Sequence, residues 1–333
     1  MRKLFISITV ILLALCASPA MSETGQAGQA GAFFKFGLGA RSLGMGGAFA
    51  GVAEGVDAIY YNPGGLGFSR IKEFGFTYHS LTLDRHLNSA YFLFPARNEA
   101  VIALSWINSF VGDVPMRDSD RNPIGDFSNS NNSFGLSFSK LLGESGSLGA
   151  NLRYLQSTLD LINSYTVGVD LGGLYKFGNN YAAGLAISDL GSNLTWSSTN
   201  YWTGNRGGDY TDKFPIRVRA GVAGKFMNEQ LIAALDVVKI DKLDFKIHSG
   251  AEYWFMKKIT TEIEDEEAED ELKEIQINKR LLGLRGGYSD GSMTFGMSLY
   301  YPYGKLNGGF DYAYITGKRD EGSNHVFTIR VLF

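Results

Sequence analysis

The chain has 333 residues with a formal net charge of −3, and it contains 42 glycines, 13% aromatic residues and one cysteine. The single cysteine excludes a disulfide framework and a thiolate zinc site, and nucleic-acid binding has no support from a basic patch or a matching motif. Glycine is nearly twice its usual share of about 7%, which together with the aromatic content is typical of a β-rich protein with two unlike faces. A soluble β-sandwich and a membrane barrel share this composition, so the pattern along the chain must decide between them.

Residues 1–22 are predicted to be a secretory signal peptide. Arg2 and Lys3 give a positive start, residues 4–17 are apolar, and small residues suited to cleavage follow. This apolar run is shorter than the roughly 20 residues that a spanning helix needs, and no later run is long enough. Cys16 lies in the leader, and the large Leu15 before it disfavours lipidation. The mature chain is therefore predicted to be exported and free of cysteine.

Residues 23–70 are predicted to form a compact plug. The stretch from Gly37 to Phe68 is too rich in glycine for an ordinary helix, since each glycine costs about 1 kcal/mol relative to alanine in a helix interior. One explanation is a flexible arm outside the fold; the other is a segment packed where only small residues fit. We favour the second, with Gly44, Gly46 and Gly47 allowing close approach of the backbone and Asn62-Pro63 forming a turn.

From residue 71 to residue 333 the apolar residues alternate with a period near two, as in β-strands with two unlike faces. Segments of about ten residues, aromatic residues at segment ends and alternation of short turns with long loops favour a membrane barrel over a sandwich. The sequence predicts an all-β fold, a transmembrane antiparallel β-barrel of about 14 strands with an N-terminal plug segment in the lumen. The predicted strands start near Ile71, His86, Glu99, Asn132, Ser147, Tyr165, Tyr181, Phe214, Gln230, Lys242, Lys279, Ser292, Lys305 and Asn324.

Charged residues recur on the predicted inward face of the strands. They would either line a polar path or, as we favour, pair with one another and hold the plug, because charges shielded from water need partners. The predicted lumen-lining residues are Asp170, Arg217, Arg219, Asp244, Lys246, Glu252, Arg285 and Asp311.

An acidic insert is predicted at residues 258–278. Residues 261–274 hold nine acidic residues against Lys273 alone, and strand parity places the insert on the periplasmic side with both termini. Residues 266–275 are expected either to form a helix, since Glu, Ala, Leu and Lys favour one, or to remain a solvated charged loop.

The C-terminus ends in an alternating apolar pattern. Phe327, Ile329, Val331 and Phe333 occupy every second position. The pattern looks like the assembly signal of outer-membrane barrel proteins, which implies the barrel-assembly machinery as a partner.

Several blocks carry a resemblance to a known family, and together they cover nearly the whole mature chain. The first two are fairly specific and the others are short: Ala40–Ala53, Asp57–Leu66, Ala251–Trp254, Leu284–Tyr288, Asp311–Tyr314 and His325. They resemble the PorV/PorQ family and, more distantly, FadL-type hydrocarbon transporters. The resemblance implies a 14-stranded outer-membrane barrel with a lumenal plug, although Gly64 stands where the FadL plug turn has alanine.

The function implied by PorV/PorQ is a non-enzymatic part in type IX secretion, with exported cargo proteins as partners. The alternative is a FadL-like transporter of hydrophobic small molecules, and a barrel-embedded lipid-modifying enzyme is a distant third. No catalytic residue, metal site or cofactor is predicted, because Phe49 stands where a nucleotide loop needs glycine and the histidines are scattered. The expected location is the bacterial outer membrane, with lipid around the barrel.

Overall fold

The computed structural model describes residues 29–199, 207–264, 272–303, 306–317 and 322–333, so the predicted signal peptide lies outside the described residues. Fourteen of the described strands form a closed antiparallel barrel, which confirms the predicted fold class. The wall strands are β1 (Glu73–Ser80), β2 (His86–Pro95), β3 (Ala100–Arg117), β4 (Pro123–Leu142), β5 (Gly146–Leu159), β6 (Ile162–Phe177), β7 (Tyr181–Leu190), β10 (Arg217–Phe226), β11 (Leu231–Ile240), β12 (Phe245–Glu264), β13 (Leu272–Ser289), β14 (Ser292–Tyr303), β15 (Leu306–Ile315) and β16 (Asn324–Leu332).

Each wall strand pairs with its neighbours in the chain, and β1 closes the barrel on β16 with Phe76 opposite Ile329. Strands β8 (Asn193–Ser197) and β9 (Asp209–Lys213) form a separate hairpin between β7 and β10. The end of the barrel where β1 begins and β16 ends is called the terminus end below. The opposite end, which carries the β8–β9 hairpin, is called the loop end.

The outer surface of the barrel is apolar. Along β1 the side chains of Phe74, Phe76 and Tyr78 are exposed, whereas Thr77 and His79, at the alternate positions, are buried inside. The same alternation presents Leu104, Leu136, Phe138, Leu152, Val167, Leu171, Val222, Leu284, Phe295 and Ile329 outward. A sandwich buries its apolar face, so this inside-out arrangement identifies a barrel that spans a membrane, as in the bacterial outer membrane.

Residues 29–70 lie inside the barrel and are called the plug. The plug contains two short helices, α1 (Ala40–Gly44) and α2 (Ala58–Tyr61), and three 3₁₀ turns, at Ala32–Phe36, Gly55–Asp57 and Pro63–Phe68. Among the described residues, none of the helices has the length and apolar character to cross a membrane.

The predicted loop between β3 and β4 is mostly strand. Strand β4 starts at Pro123 rather than near residue 132, and β3 continues to Arg117, so that the two extend as a ribbon beyond the neighbouring strands. The polar sequence suggested a loop, but a ladder satisfies the backbone groups whatever the side chains are. Bulges between Val111 and Val114 and between Met116 and Arg117 bend this ribbon.

The acidic insert is also built on strand. Strand β12 reaches Glu264 and β13 starts at Leu272, with Thr261 paired to Ile275. The helix expected at residues 266–275 is therefore wrong for 272–275, and residues 265–271 lie outside the described residues. The β-branched residues at 259–263, 275 and 277 favour strand, and the ladder inherited from the barrel outweighs helix propensity.

Candidate functional site

The plug meets the wall through glycines on both sides. Gly46 has φ +66°, and a Cβ there would lie 2.6 Å from the carbonyl oxygen of Ser249 and 2.7 Å from the nitrogen of Tyr288. Gly47 has φ +74°, which disfavours other residues, and a Cβ on Gly44 would lie 2.7 Å from the Cδ of Arg285. The three glycines therefore let the plug backbone approach strands β12 to β14.

Asn62 and Pro63 form a buried turn of the plug. The Asn62 side chain accepts a hydrogen bond from the nitrogen of Gly64 (3.1 Å) and donates to the carbonyl oxygens of Ala50 (2.9 Å) and Gly173 (3.0 Å). A Cβ on Gly64 would lie 2.7 Å from the Cα of Gly173 in β6. The glycine that departs from the Asn-Pro-Ala pattern thus fits a wall that is closer here than alanine would permit.

A buried ion-pair network ties the plug to one side of the wall. Arg330 of β16 donates to Asp57 of the plug (2.7 Å), Glu73 (2.8 Å) and Asp311 (2.6 Å). Through Asp311 it is linked to Arg285, whose Nη1 lies 3.7 Å from that carboxylate. One guanidinium therefore joins the plug to strands β1, β15 and β16.

The same network continues through Glu252 of β12. The Nε of Arg41 in α1 lies 3.1 Å from the Glu252 carboxylate, and the Nε of Arg285 lies 3.5 Å from it. Arg41 also reaches Glu54 at 3.0 Å. Because Arg41, Glu252 and Arg285 are buried, each of these charges is stabilised by its partner rather than by solvent.

Two further clusters hold the opposite side of the plug. Asp236 of β11 accepts from Arg219 (3.0 Å) and from the plug nitrogens of Phe49 and Ala50 (2.9 Å each). Arg217 donates to the hydroxyl of Tyr60 in α2 at 2.6 Å. The plug backbone itself is therefore bonded to wall side chains.

A third cluster lies near the loop end of β6 and β7. Arg153 of β5 bridges Asp170 of β6 (2.8 Å) and Asp189 of β7, and Arg217 also reaches Asp189 at 3.3 Å. A register shift between Val169 and Leu171 brings Asp170 to this position, where β6 leaves the ladder with β7. Ion pairs thus link strands β5, β6, β7 and β10 where the β6–β7 backbone ladder ends.

Most of the predicted lumen-lining residues form ion pairs inside the barrel, where Arg217 is partly buried and the others are buried: Asp170, Arg217, Arg219, Glu252, Arg285 and Asp311. Lys246 lies at the loop-end rim, where it pairs with Asp290. For Asp244 the prediction is wrong, because β12 begins only at Phe245 and Asp244 is exposed in the turn before it.

The sequence interpretation missed Arg41, Asp57, Arg153, Asp189, Asp236 and Arg330. For Arg330 a signal was present, since it occupies the inward position between Ile329 and Val331 of the C-terminal alternation. Phe327, Ile329 and Phe333 expose their side chains on the outer face. Their role as an assembly signal stays a prediction.

A cavity of about 780 Å³ opens at the terminus end, beneath the plug, with charged and apolar side chains in its lining. Short turns between the strands surround it, including Asn179 and Asn180. Its charged lining consists of Arg41, Arg70, Lys176, Lys225, Arg280 and Arg330 with Glu54, Glu73, Glu144 and Glu229. This composition suits a water-filled vestibule rather than a site for an apolar molecule.

Glu54 connects the plug to this vestibule. Its carboxylate contacts Lys225 (2.9 Å), Arg280 (3.0 Å) and Arg41 (3.0 Å). Burial alone would raise the pKa of the Glu54 carboxyl, but Arg280, Lys225 and Arg41 hold that pKa well below its usual range.

We expect Glu54→Gln to lower the heat-denaturation midpoint in a pH-dependent way. Because the folded-state pKa is lowered, the carboxylate stabilises the fold fully above the ordinary glutamate pKa of about 4.3, and this is lost as pH falls through the lowered value. The wild-type and variant midpoints should differ by a constant amount at neutral and mildly acidic pH and converge in strong acid. Glu144→Gln, in an exposed turn at the same cavity, is the control; a difference that grows in acid would contradict the prediction.

Beside the Arg153 cluster, the loop-end part of the lumen holds an apolar cluster. Phe34 of the plug is buried against wall residues including Leu87, Ile107 and Leu155. The ring of Phe34 lies 6.3 Å from that of Tyr60. Plug and wall therefore form one hydrophobic cluster at this end.

The β8–β9 hairpin covers this cluster from outside. Leu194 is buried and Trp196 is partly buried against the cluster, whereas Asn193, Thr195 and Ser197 on the other face are exposed. Phe214, which follows β9, packs on the plug where Gly31 has φ +68°. This group is called the loop-end apolar site: Phe33, Phe34, Phe36, Leu87, Ile107, Leu155, Leu194, Trp196 and Phe214.

Comparison with solved structures finds the same fold. The CymD monoaromatic hydrocarbon channel matches with TM-score 0.57 and 13% identity over 89% of this chain and 97% of that one. The Ralstonia pickettii toluene transporter TbuX gives 0.52 and 13% over 90% and 98%, and a Pseudomonas aeruginosa FadL homologue gives 0.54 and 9% over 87% and 96%. No protein-family model matches the chain, and the search of curated proteins gives no match either.

At these identities the likeness shows the fold, which is that of a FadL-like outer-membrane barrel. The PorV/PorQ resemblance of the N-terminal block has no counterpart among these structures. The PorV/PorQ interpretation therefore has no support from these comparisons.

Proposed function

We propose that this protein is a non-enzymatic outer-membrane channel for hydrophobic small molecules. The observation that carries the proposal is the loop-end apolar site, an aromatic-rich cluster inside a barrel, covered by the β8–β9 hairpin and separated from the polar vestibule by the plug. Binding sites for small molecules are mostly apolar, with few polar groups, and in the closed state the side chains of this cluster fill the site. The similar structures include a monoaromatic hydrocarbon channel and a toluene transporter, which supports the same solute class.

In the proposed route the solute enters at the loop end and the plug must move before it leaves through the vestibule. Burial of apolar area supplies about 25 cal/mol per Å², so the apolar site concentrates an oily solute from water. The ion pairs of Arg41, Asp57 and Glu54 with the wall keep the plug in place in the closed state. Lipid around the barrel and the barrel-assembly machinery are the proposed partners of the wall.

The role in type IX secretion rests on the sequence resemblance to the PorV/PorQ family alone. It would require exported cargo proteins as partners, and their co-purification with this chain would favour it. A channel that must stay closed to water-soluble compounds explains the buried contacts between plug and wall more directly than a role in secretion does.

Uptake of labelled toluene by cells that lack their own hydrocarbon channel tests the proposal. We expect saturable toluene uptake with the wild-type protein and no gain for a labelled monosaccharide. Leu194→Asn should reduce toluene uptake, because it puts a polar amide into the apolar site, whereas Thr195→Asn on the exposed face of the same hairpin should leave it unchanged. Both variants must first show the heat-dependent gel mobility of a folded barrel.

Toluene uptake equal to that of cells without the protein would overturn the channel proposal. Equal loss of uptake in the two hairpin variants would contradict the assignment of the apolar site.

A further inference from the structure

The inner face of the β1–β2 hairpin carries buried polar groups without hydrogen-bond partners. His79 is 1% exposed, Ser89 0% and Tyr91 2%. Within the part of the chain that the structure describes, both ring nitrogens of His79 and the hydroxyl oxygens of Ser89 and Tyr91 have no partner within hydrogen-bond distance. Ser89 is nonetheless a hydrogen-bonding neighbour of the Tyr91 hydroxyl, so the lack of any partner is complete only at the two nitrogens of His79. Leaving a buried polar group unpaired costs about 1–3 kcal/mol, so this concentration on one hairpin calls for a ligand.

The strand register places these groups together. His79 pairs with Leu87, and Thr77 pairs with Ser89, so His79 and Ser89 are diagonal neighbours on the inward face. Tyr91 is the next inward residue of β2. Leu87 and Tyr91 belong to the same hydrophobic cluster as Phe34, so the polar groups border the loop-end apolar site.

An aromatic ring of the chain already lies beside His79. Phe36 stands edge-on to the imidazole, with ring centroids 6.3 Å apart and an interplanar angle of 83°. Phe36 ends the first turn of the plug and also faces Arg85 of the β1–β2 loop at 5.4 Å. The position beside His79 is therefore filled by a six-membered ring of the plug in the closed state, and phenylalanine offers no atom that can pair with the histidine nitrogens.

We propose that the loop-end site takes an aromatic solute that carries one hydrogen-bonding group, such as a phenol, and that His79 with Ser89 and Tyr91 selects this group. The inference rests on the proposed channel function and names its substrate class. When the plug moves, the solute ring takes the position that the Phe36 ring leaves, and its hydroxyl pairs with the imidazole, which donates or accepts according to its tautomer. A hydrocarbon of the same shape leaves the imidazole unpaired, which is the basis of discrimination.

Binding of 4-methylphenol and toluene to detergent-purified protein tests the inference. The Phe36→Ala variant, which opens space beside His79, is compared with Phe33→Ala in the same turn, whose ring contact is with Phe34. We expect Phe36→Ala to bind 4-methylphenol at least about fivefold tighter than toluene, which is the lower end of what one satisfied buried group is worth. Phe33→Ala should not gain this preference.

Adding His79→Leu to Phe36→Ala should abolish the preference by weakening 4-methylphenol while toluene still binds. Equal affinity for the two compounds, or a preference that survives His79→Leu, would overturn the inference and leave the channel proposal standing. If neither compound binds the wild type or Phe36→Ala, and toluene uptake is also absent, both proposals fall. Heat-dependent gel mobility confirms that each variant is folded before binding is measured.

Discussion

Replacing Arg330 by leucine should strongly destabilise the closed barrel. The Arg330 guanidinium is 2% exposed and contacts three carboxylates, those of Asp57, Glu73 and Asp311, at 2.6 to 2.8 Å. Removing one partner of a buried pair costs about 3–5 kcal/mol because the remaining charge is uncompensated, and here three carboxylates lose the same partner. We expect a large fall in the midpoint of heat-dependent gel mobility and weaker retention of the plug.

Arg70→Leu is the matched control for this prediction. Arg70 is the last residue of the plug. It is exposed and donates to the backbone carbonyls of Gly67 and Ser69. Its replacement should change the midpoint little, as exposed polar contacts contribute little.

Neutralising the carboxylates tests the mechanism directly. Arg330→Leu combined with Asp57→Asn, Glu73→Gln and Asp311→Asn should recover part of the lost stability, since amides do not need a buried cation. A midpoint for Arg330→Leu equal to that of Arg70→Leu would show that the ion pairs do not hold the fold.

The wall of the barrel could be predicted from the sequence because strand periodicity is local. Exposed Phe76 and buried Thr77 follow from alternation alone. The start of β4 could not be predicted. The Asn- and Ser-rich stretch around residue 130 has the composition of a loop, but its pairing with β3 makes it a strand.

Some of the ion pairs could also have been predicted from the sequence. Glu252 and Arg285 are directly opposite in the β12–β13 register, so a hairpin alignment would have paired them. The ion pairs that involve the plug could not be predicted in this way. Arg41 contacts Glu252 and Asp57 contacts Arg330, and each pair is separated by more than 200 positions in the chain. Only the three-dimensional path of the plug brings them together.

Replacing Gly46 by valine should open the barrel without unfolding its wall. Gly46 has φ +66°, which costs a non-glycine residue roughly 1–2 kcal/mol, and its Cβ would meet the backbone of Ser249 and Tyr288. Backbone of two paired strands cannot yield as a flexible side chain can. The Gly46 nitrogen would also lose its hydrogen bond to Thr294 at 3.0 Å, and the carbonyl its contact with His248 at 2.8 Å.

Gly143→Val separates the clash from the backbone strain. Gly143 lies in the β4–β5 turn with φ +64°, almost the same as that of Gly46, but a Cβ there meets nothing within 4 Å. Both variants therefore have similar conformational strain, and only Gly46→Val forces the plug away from the wall.

The expected readout is a leak through the lumen. Gly46→Val should increase conductance in planar bilayers and sensitise cells to large polar antibiotics that the outer membrane excludes. Its wall should stay folded, because the ladders of β12 and β13 do not include Gly46. Gly143→Val should remain as closed as the wild type. A closed Gly46→Val channel would mean that the plug can shift to accept the side chain, and the glycines would then not be what fits plug to wall.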